Sequence, residues 1–133
     1  MKVKCLINNV HAISSNNSRT RLEQFIHLPD GDSDLEIGKT YNVQAIEFRN
    51  DNLWLYVHTV ESNEYPFPYP VEFFQVEDSS LPTAWVASFV GGNGNTVLKR
   101  LTFAEWANND LFFERLVDGD PASVATYSKL RQS

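Results

Sequence analysis

Apolar and polar positions alternate with a period of two through much of the first hundred residues, then switch to a helical spacing near the end. The run KVKCLI (2–7) alternates and is rich in strand formers. NNVHAISSNNSRT (8–20) has the Asn/Ser-rich composition of a loop, and RLEQFIHL (21–28) reads as a second short strand. After the acidic turn PDGDSD (29–34), LEIGKTYNVQAIEF (35–48) carries a strand in which Tyr41, Val43 and Ala45 alternate before the phase slips to Ile46 and Phe48. Such a slip predicts a bulge or a strong bend. LWLYVHT (53–59) alternates cleanly, and the turn residues at 49–52 predict that the two segments pair as a hairpin. Leu53, Leu55 and Val57 then share one face and Trp54, Tyr56 and His58 the other. The aliphatic face is the core face, and the aromatic face is expected to lie beneath the C-terminal part of the chain, since monomers seldom leave such rings in water.

TAWVASFV (83–90) and TVLKRL (96–101) flank GGNGN, a glycine-rich hairpin turn. Thr102 and Glu105 then have the spacing of a helix capping box, and Asn109 is placed to cap a second helical piece. In that piece Phe112 and Leu116, and Phe113 and Val117, stand four apart on one face each, and Asp118-Gly119 ends it. Asp120 followed by Pro121 opens a closing helix, ASVATYSKLRQ, with Lys129 and Arg131 near its C-terminus. Strands first and helices last, with no repeat or linker, predict one α+β domain over 1–133. Its parts would be a β region (1–80), a hairpin (81–101) and a helical C-terminal region (102–133).

The 133 residues, 42% hydrophobic with three Trp, five Tyr and nine Phe, suffice for a packed core. A single cysteine, Cys5, excludes an intramolecular disulfide, and MKVKCLINNV is too short an apolar run for a signal peptide or membrane span. A soluble cytoplasmic protein is therefore expected, with no membrane partner. The formal net charge is −6, and its distribution is uneven: residues 50–98 contain no Lys or Arg, yet include Asp51, Glu61, Glu64, Glu72, Glu77 and Asp78. Direct nucleic-acid binding rests on cations that neutralise phosphate, so a basic protein is the better partner.

Catalytic and metal motifs do not emerge. DGDSD spaces Asp30, Asp32 and Asp34 like a calcium loop, but Leu35 stands where the turn needs glycine and Tyr41 where a bidentate Glu is required. GGNGN precedes a strand rather than the helix of a phosphate cradle. His11, His27 and His58 are scattered, Cys5 reads as a buried small hydrophobe, and no G-x-S-x-G elbow is present. No metal, cofactor or catalytic residue is expected. The remaining candidate is YPFPYPVEFFQVED (65–78), whose alternating prolines disfavour helix and place the segment at an extended edge. Phe73 and Phe74 are expected inside, with Tyr65 and Tyr69 nearer water. Glu61, Glu64, Tyr65, Tyr69, Glu72 and Asp78 form the candidate partner-binding set, tyrosines as central anchors and carboxylates selecting a cationic partner.

KVKCL, then Leu35-x-Ile37-Gly38-Lys39-x-Tyr41-x-Val43, a hairpin, and Pro70 followed by Glu72-Phe73-Phe74-x-Val76 resemble the small SH3-like β-barrel proteins of bacteria and their phages. The likeness covers roughly the first sixty per cent of the chain and implies a strongly bent antiparallel sheet, or a partly open barrel, followed by short C-terminal helices. Leu81-Pro82-Thr83-Ala84-Trp85 onward, with Phe112-Phe113-Glu114 and Val117-Asp118-Gly119-Asp120-Pro121, is similar to C-terminal segments of immunity proteins from bacterial polymorphic toxin systems, contact-dependent inhibition included. That resemblance implies a cytoplasmic, non-enzymatic protein that neutralises one cognate, cationic toxin by direct binding. The stretch from Asn8 to Asp34 departs from the barrel pattern and is a second candidate recognition loop. Two other classes fit the composition: a phage or plasmid decoy whose acids imitate nucleic acid, and an enzyme of unrecognised type.

Overall fold

A computed structural model describes residues 1–25, 33–60 and 64–133. The fold is α+β. Two antiparallel sheets stack, and among the described residues four short helices accompany them and no closed barrel forms.

The first sheet has the order β2-β1-β6, from β1 (Lys2–Cys5), β2 (Thr40–Asn42) and β6 (Phe74–Asp78). The second has the order β5-β4-β3-β8-β7, from β3 (Ala45–Arg49), β4 (Asn52–Val57), β5 (Phe67–Pro70), β7 (Trp85–Val90) and β8 (Val97–Phe103). The phase slip in 35–48 marks the point where the chain changes sheets. Val43 donates to the Met1 carbonyl and so extends the first sheet, while the next amide, Gln44, donates to the Tyr56 carbonyl of the second. The chain returns through a 3-10 turn at Val71–Phe73, whose Phe73 carbonyl accepts from Leu6 and Ile7 beyond β1.

The second sheet separates two cores. Between the sheets lie Val3, Cys5, Tyr41, Val43, Leu55, Val57, Tyr69 and Phe73. On its other face Ala45, Tyr56 and Phe103 meet α2 (Ala104–Ala107), α3 (Phe112–Val117) and α4 (Pro121–Leu130). Trp106, 1% exposed, is the hub there: it stacks on Phe113 at 5.7 Å and 10° and meets Tyr56 edge-on at 5.0 Å. Edge-to-face and offset pairs of this kind each add about 0.5–1.5 kcal/mol beyond area burial. Tyr56 and His58 thus lie under the C-terminal helices, as their alternation predicts, but Trp54, expected with them, belongs to the inter-sheet cluster with Leu55 and Val57, and Leu53, expected in the core, is 38% exposed.

Arg100 ties that helical layer to the sheet. Its side chain is 7% exposed; Nε donates to Glu47 (2.9 Å), Nη1 to the Trp106 and Ala107 carbonyls, and Nη2 to Asp110 (3.1 Å). Glu47 also accepts from Arg49 (2.7 Å) and from the Tyr56 hydroxyl (3.0 Å), so the buried cation is compensated on every side.

Three local expectations are corrected. The polar stretch 8–20 is not a plain loop: Asn9 caps a 3-10 turn at Val10–Ala12, and Ser15 caps α1 (Asn16–Glu23) by accepting from Ser18 at 3.3 Å. The strand expected over 21–28 is helical where it overlaps α1, because that cap nucleates a helix held to the core by fully buried Leu22; the segment's last three residues lie outside the described ones. Thr102 is no helix cap. It remains in β8, fully buried, and its hydroxyl donates to the Gln44 carbonyl at 2.8 Å, while α2 starts after Phe103 without a side-chain cap. The Asp120 cap is present, accepting from the Ser123 amide at 3.0 Å with Pro121 opening α4.

Candidate functional site

The described candidate binding residues lie on different elements. Tyr69, expected near water, is 8% exposed on β5 and belongs to the inter-sheet core, where burial pushes its phenol up to about 12. Tyr65 is half-buried and meets Phe67 edge-on at 5.3 Å. Glu64 is exposed beside it. Glu72 faces inward chemically: it accepts from Asn52 (3.0 Å) and pairs with Arg21 (3.6 Å), clamping α1 to the start of β4. Glu72 bonds at the Asn52 end of β4, whereas Glu64 precedes Phe67, which pairs with Val57 at the strand's other end. Asp78 is exposed on the other sheet, opposite Lys2, and the Ser80 hydroxyl and amide hold its carboxyl below the usual range. Glu61, and the Asp30 and Asp32 of the calcium-like loop, lie outside the described residues. Phe73 is fully buried as expected, and Phe74 is half-buried.

The cation-free stretch 50–98 has a different structural meaning. It supplies β4, β5, β6 and β7, and three of these, β5, β6 and β7, are edge strands. Exposed edges invite pairing with foreign strands, and proteins blunt them with proline, charge or shortness. β5 carries Pro68 and Pro70, β6 carries Glu77 and Asp78, and the fourth edge, β2, has only three residues. β7 reads WVASFV, with neither proline nor charge. Val86 is 38%, Phe89 59% and Val90 45% exposed, and Val97 opposite Val90 is 43% exposed. A bulge between Ser88 and Phe89 leaves Trp85 to Ser88 as a regular four-residue edge, and no strand among the described residues covers it. The cations of the neighbouring strand are engaged: Arg100 as described, and Lys99 in an ion pair with Asp110.

Sequence reasoning passed over β7 because alternation and composition do not disclose sheet order. The signal was nevertheless present, an uncharged, proline-free apolar run leading into a glycine hairpin. Among the described residues no group of three His, Cys, Asp or Glu side chains converges on a common point. No helix among them is long and apolar enough to cross a membrane.

No family model, curated protein or solved structure matches the chain.

Proposed function

We propose that the protein is a binding module that accepts an extended segment of a basic protein along the β7 edge. The observation that carries this reading is that β7, alone among the edges of the described sheets, has no proline, no charge and a full strand length. Strand addition supplies main-chain hydrogen bonds, and the apolar side chains of Val86, Phe89 and Val90 supply contact area. Residues 50–98 contribute negative charge only, which favours a cationic partner and speeds its approach. Glu64 and Asp78, both exposed, act at long range as part of that field and not as one contact patch.

In this reading the protein serves as an immunity protein, neutralising one cognate toxin by direct binding without a bond-making step of its own. The crossings at Val43–Gln44 and through Val71–Phe73, where one chain bends between two sheets, support the finer likeness to an opened SH3-like barrel. A nucleic-acid decoy would draw on a continuous row of free carboxylates, and the pairing of Glu72 with Arg21 and the place of Asp78 on the other sheet give it no support.

The test is coexpression with a basic toxin domain encoded by an adjacent gene. The wild-type chain should protect the cell and bind the domain, and Phe89→Lys should weaken binding by about 100-fold or more, because a lysine replaces an apolar contact and repels a cationic strand. Binding unchanged in Phe89→Lys, or turnover of a substrate by the pure protein, would overturn the proposal.

A further inference from the structure

We propose that a cleft between β2 and the end of α4 binds a small organic dianion. The cleft has a volume of about 430 Å³ and is lined by Lys39, Lys129 and Arg131 together with Asn42, Gln44 and His58. This size suits a metabolite and exceeds the needs of a single inorganic ion. In a chain of net charge −6, three cations line one concavity, and among the described residues no Asp or Glu side chain lines it.

The walls are built. Gln44 exchanges two hydrogen bonds with Gln132, its amide donating to the Gln132 carbonyl (2.9 Å) and its carbonyl accepting from the Gln132 amide (2.7 Å), so the end of α4 is fixed to the crossing between the sheets. Two of the cations are held against tyrosine rings, Lys39 over Tyr41 at 5.3 Å and Arg131 over Tyr127 at 5.7 Å, which limits their freedom before a ligand arrives.

His58 supplies the second, independent observation. It is 7% exposed, its Nε2 meets the Tyr127 hydroxyl at 2.6 Å, and its Nδ1 has no hydrogen-bond partner among the described residues. With the Tyr127 proton donated to Nε2, the neutral ring carries its own proton on Nδ1, a buried donor lacking an acceptor. His58 lines the cleft with its Nδ1 buried beneath the surface, and because buried polar groups are nearly always paired, a ligand oxygen that reached Nδ1 would satisfy it. Lys129, which forms no ion pair among the described residues, supplies charge at the same cleft. Phosphate monoesters and dicarboxylates share the required chemistry, two negative charges on acceptor oxygens attached to a small body.

Titration of the full chain, followed by NMR at the His58 ring nitrogens, tests this with glycerol 3-phosphate, succinate, inorganic phosphate and neutral glycerol. Saturable shifts with glycerol 3-phosphate alone identify a phosphate monoester site, and with succinate alone a dicarboxylate site. Either result supports the proposal if Lys129→Gln, an exposed change, weakens binding about tenfold, as expected for loss of one charge-assisted hydrogen bond. No saturable shift with either compound would overturn it, as would inorganic phosphate binding as tightly as the organic anions, or affinity unchanged in Lys129→Gln. None of these outcomes bears on β7, which lies at the opposite margin of the second sheet from β5.

Discussion

Acidification should destabilise the fold in a window set by His58. Burial first, and the positive charge of Arg131 second, push its imidazole from 6.5 down to about 4. The folded protein therefore holds a neutral ring, whereas the unfolded chain takes up a proton as pH falls below 6.5. Stability from this group is fully present above the unfolded value, is lost as pH falls through the interval, and changes no further once pH is below the folded value. With those two values, proton uptake favours unfolding by about 2.5 kcal/mol at pH 4.5 and by only ~0.2 kcal/mol at pH 7, a net loss of about 2 kcal/mol. Carboxylates held low by their partners confuse the reading only at lower pH: Asp78 by Ser80, Asp110 by Lys99 and Arg100, and Asp120 by Ser123, all below the ordinary 3.8. Urea denaturation at pH values from about 7 to 4.5 measures the loss, and His58→Gln should flatten it. A proton titration of the wild-type ring by NMR gives the same answer should that variant fold poorly. A stability that stays level over this interval, or a ring that titrates near 6.5, would refute the reasoning.

Arg100→Ala should destabilise by about 3–5 kcal/mol in urea denaturation, since it leaves Glu47 and the carbonyls of Trp106 and Ala107 without their buried donor. Asp110→Asn, whose side chain is 64% exposed, should move the midpoint far less. Gly91→Ala should cost about 1–3 kcal/mol, because φ is 95° and an added Cβ would meet the Asn95 carbonyl oxygen at 2.2 Å; a midpoint equal to wild type would show that the hairpin relaxes freely. Trp85→Phe should change stability little, because the buried indole N–H it removes has no acceptor among the described residues.

Local order was legible where one physical signal dominated. The alternation in 53–59 located β4 and the burial of Leu55, Val57 and Tyr56 on its two faces, though not the places of Leu53 and Trp54, and the slip after Ala45 disclosed a bend, though the break falls at Val43 and Gln44, where the amides bond to different sheets. Asp120-Pro121 and the Phe112/Leu116 spacing located α4 and α3, because caps and i, i+4 pairs act within one turn. What failed depended on distant partners. Thr102 had the capping pattern, but its hydroxyl is used by Gln44, fifty-eight positions away in the chain. Ser15 could cap a helix only because Leu22 found a core to bury in. Tyr69 alternates as a surface residue might, yet the first sheet covers it. Glu72 appeared available until Arg21 and Asn52 claimed it. The β7 edge depended on strand order, a property of the whole sheet that no window of sequence contains.

Hydrogen exchange of the complex with a bound basic partner puts the central claim to the most direct test. Strand addition predicts that backbone amides on the outer edge of β7, within Trp85–Val90, become strongly protected, while those of β5 and β6 exchange as they do in the free protein. Protection confined to the segment around Glu64 and Tyr65, or to β6 near Asp78, with β7 unchanged, would contradict it.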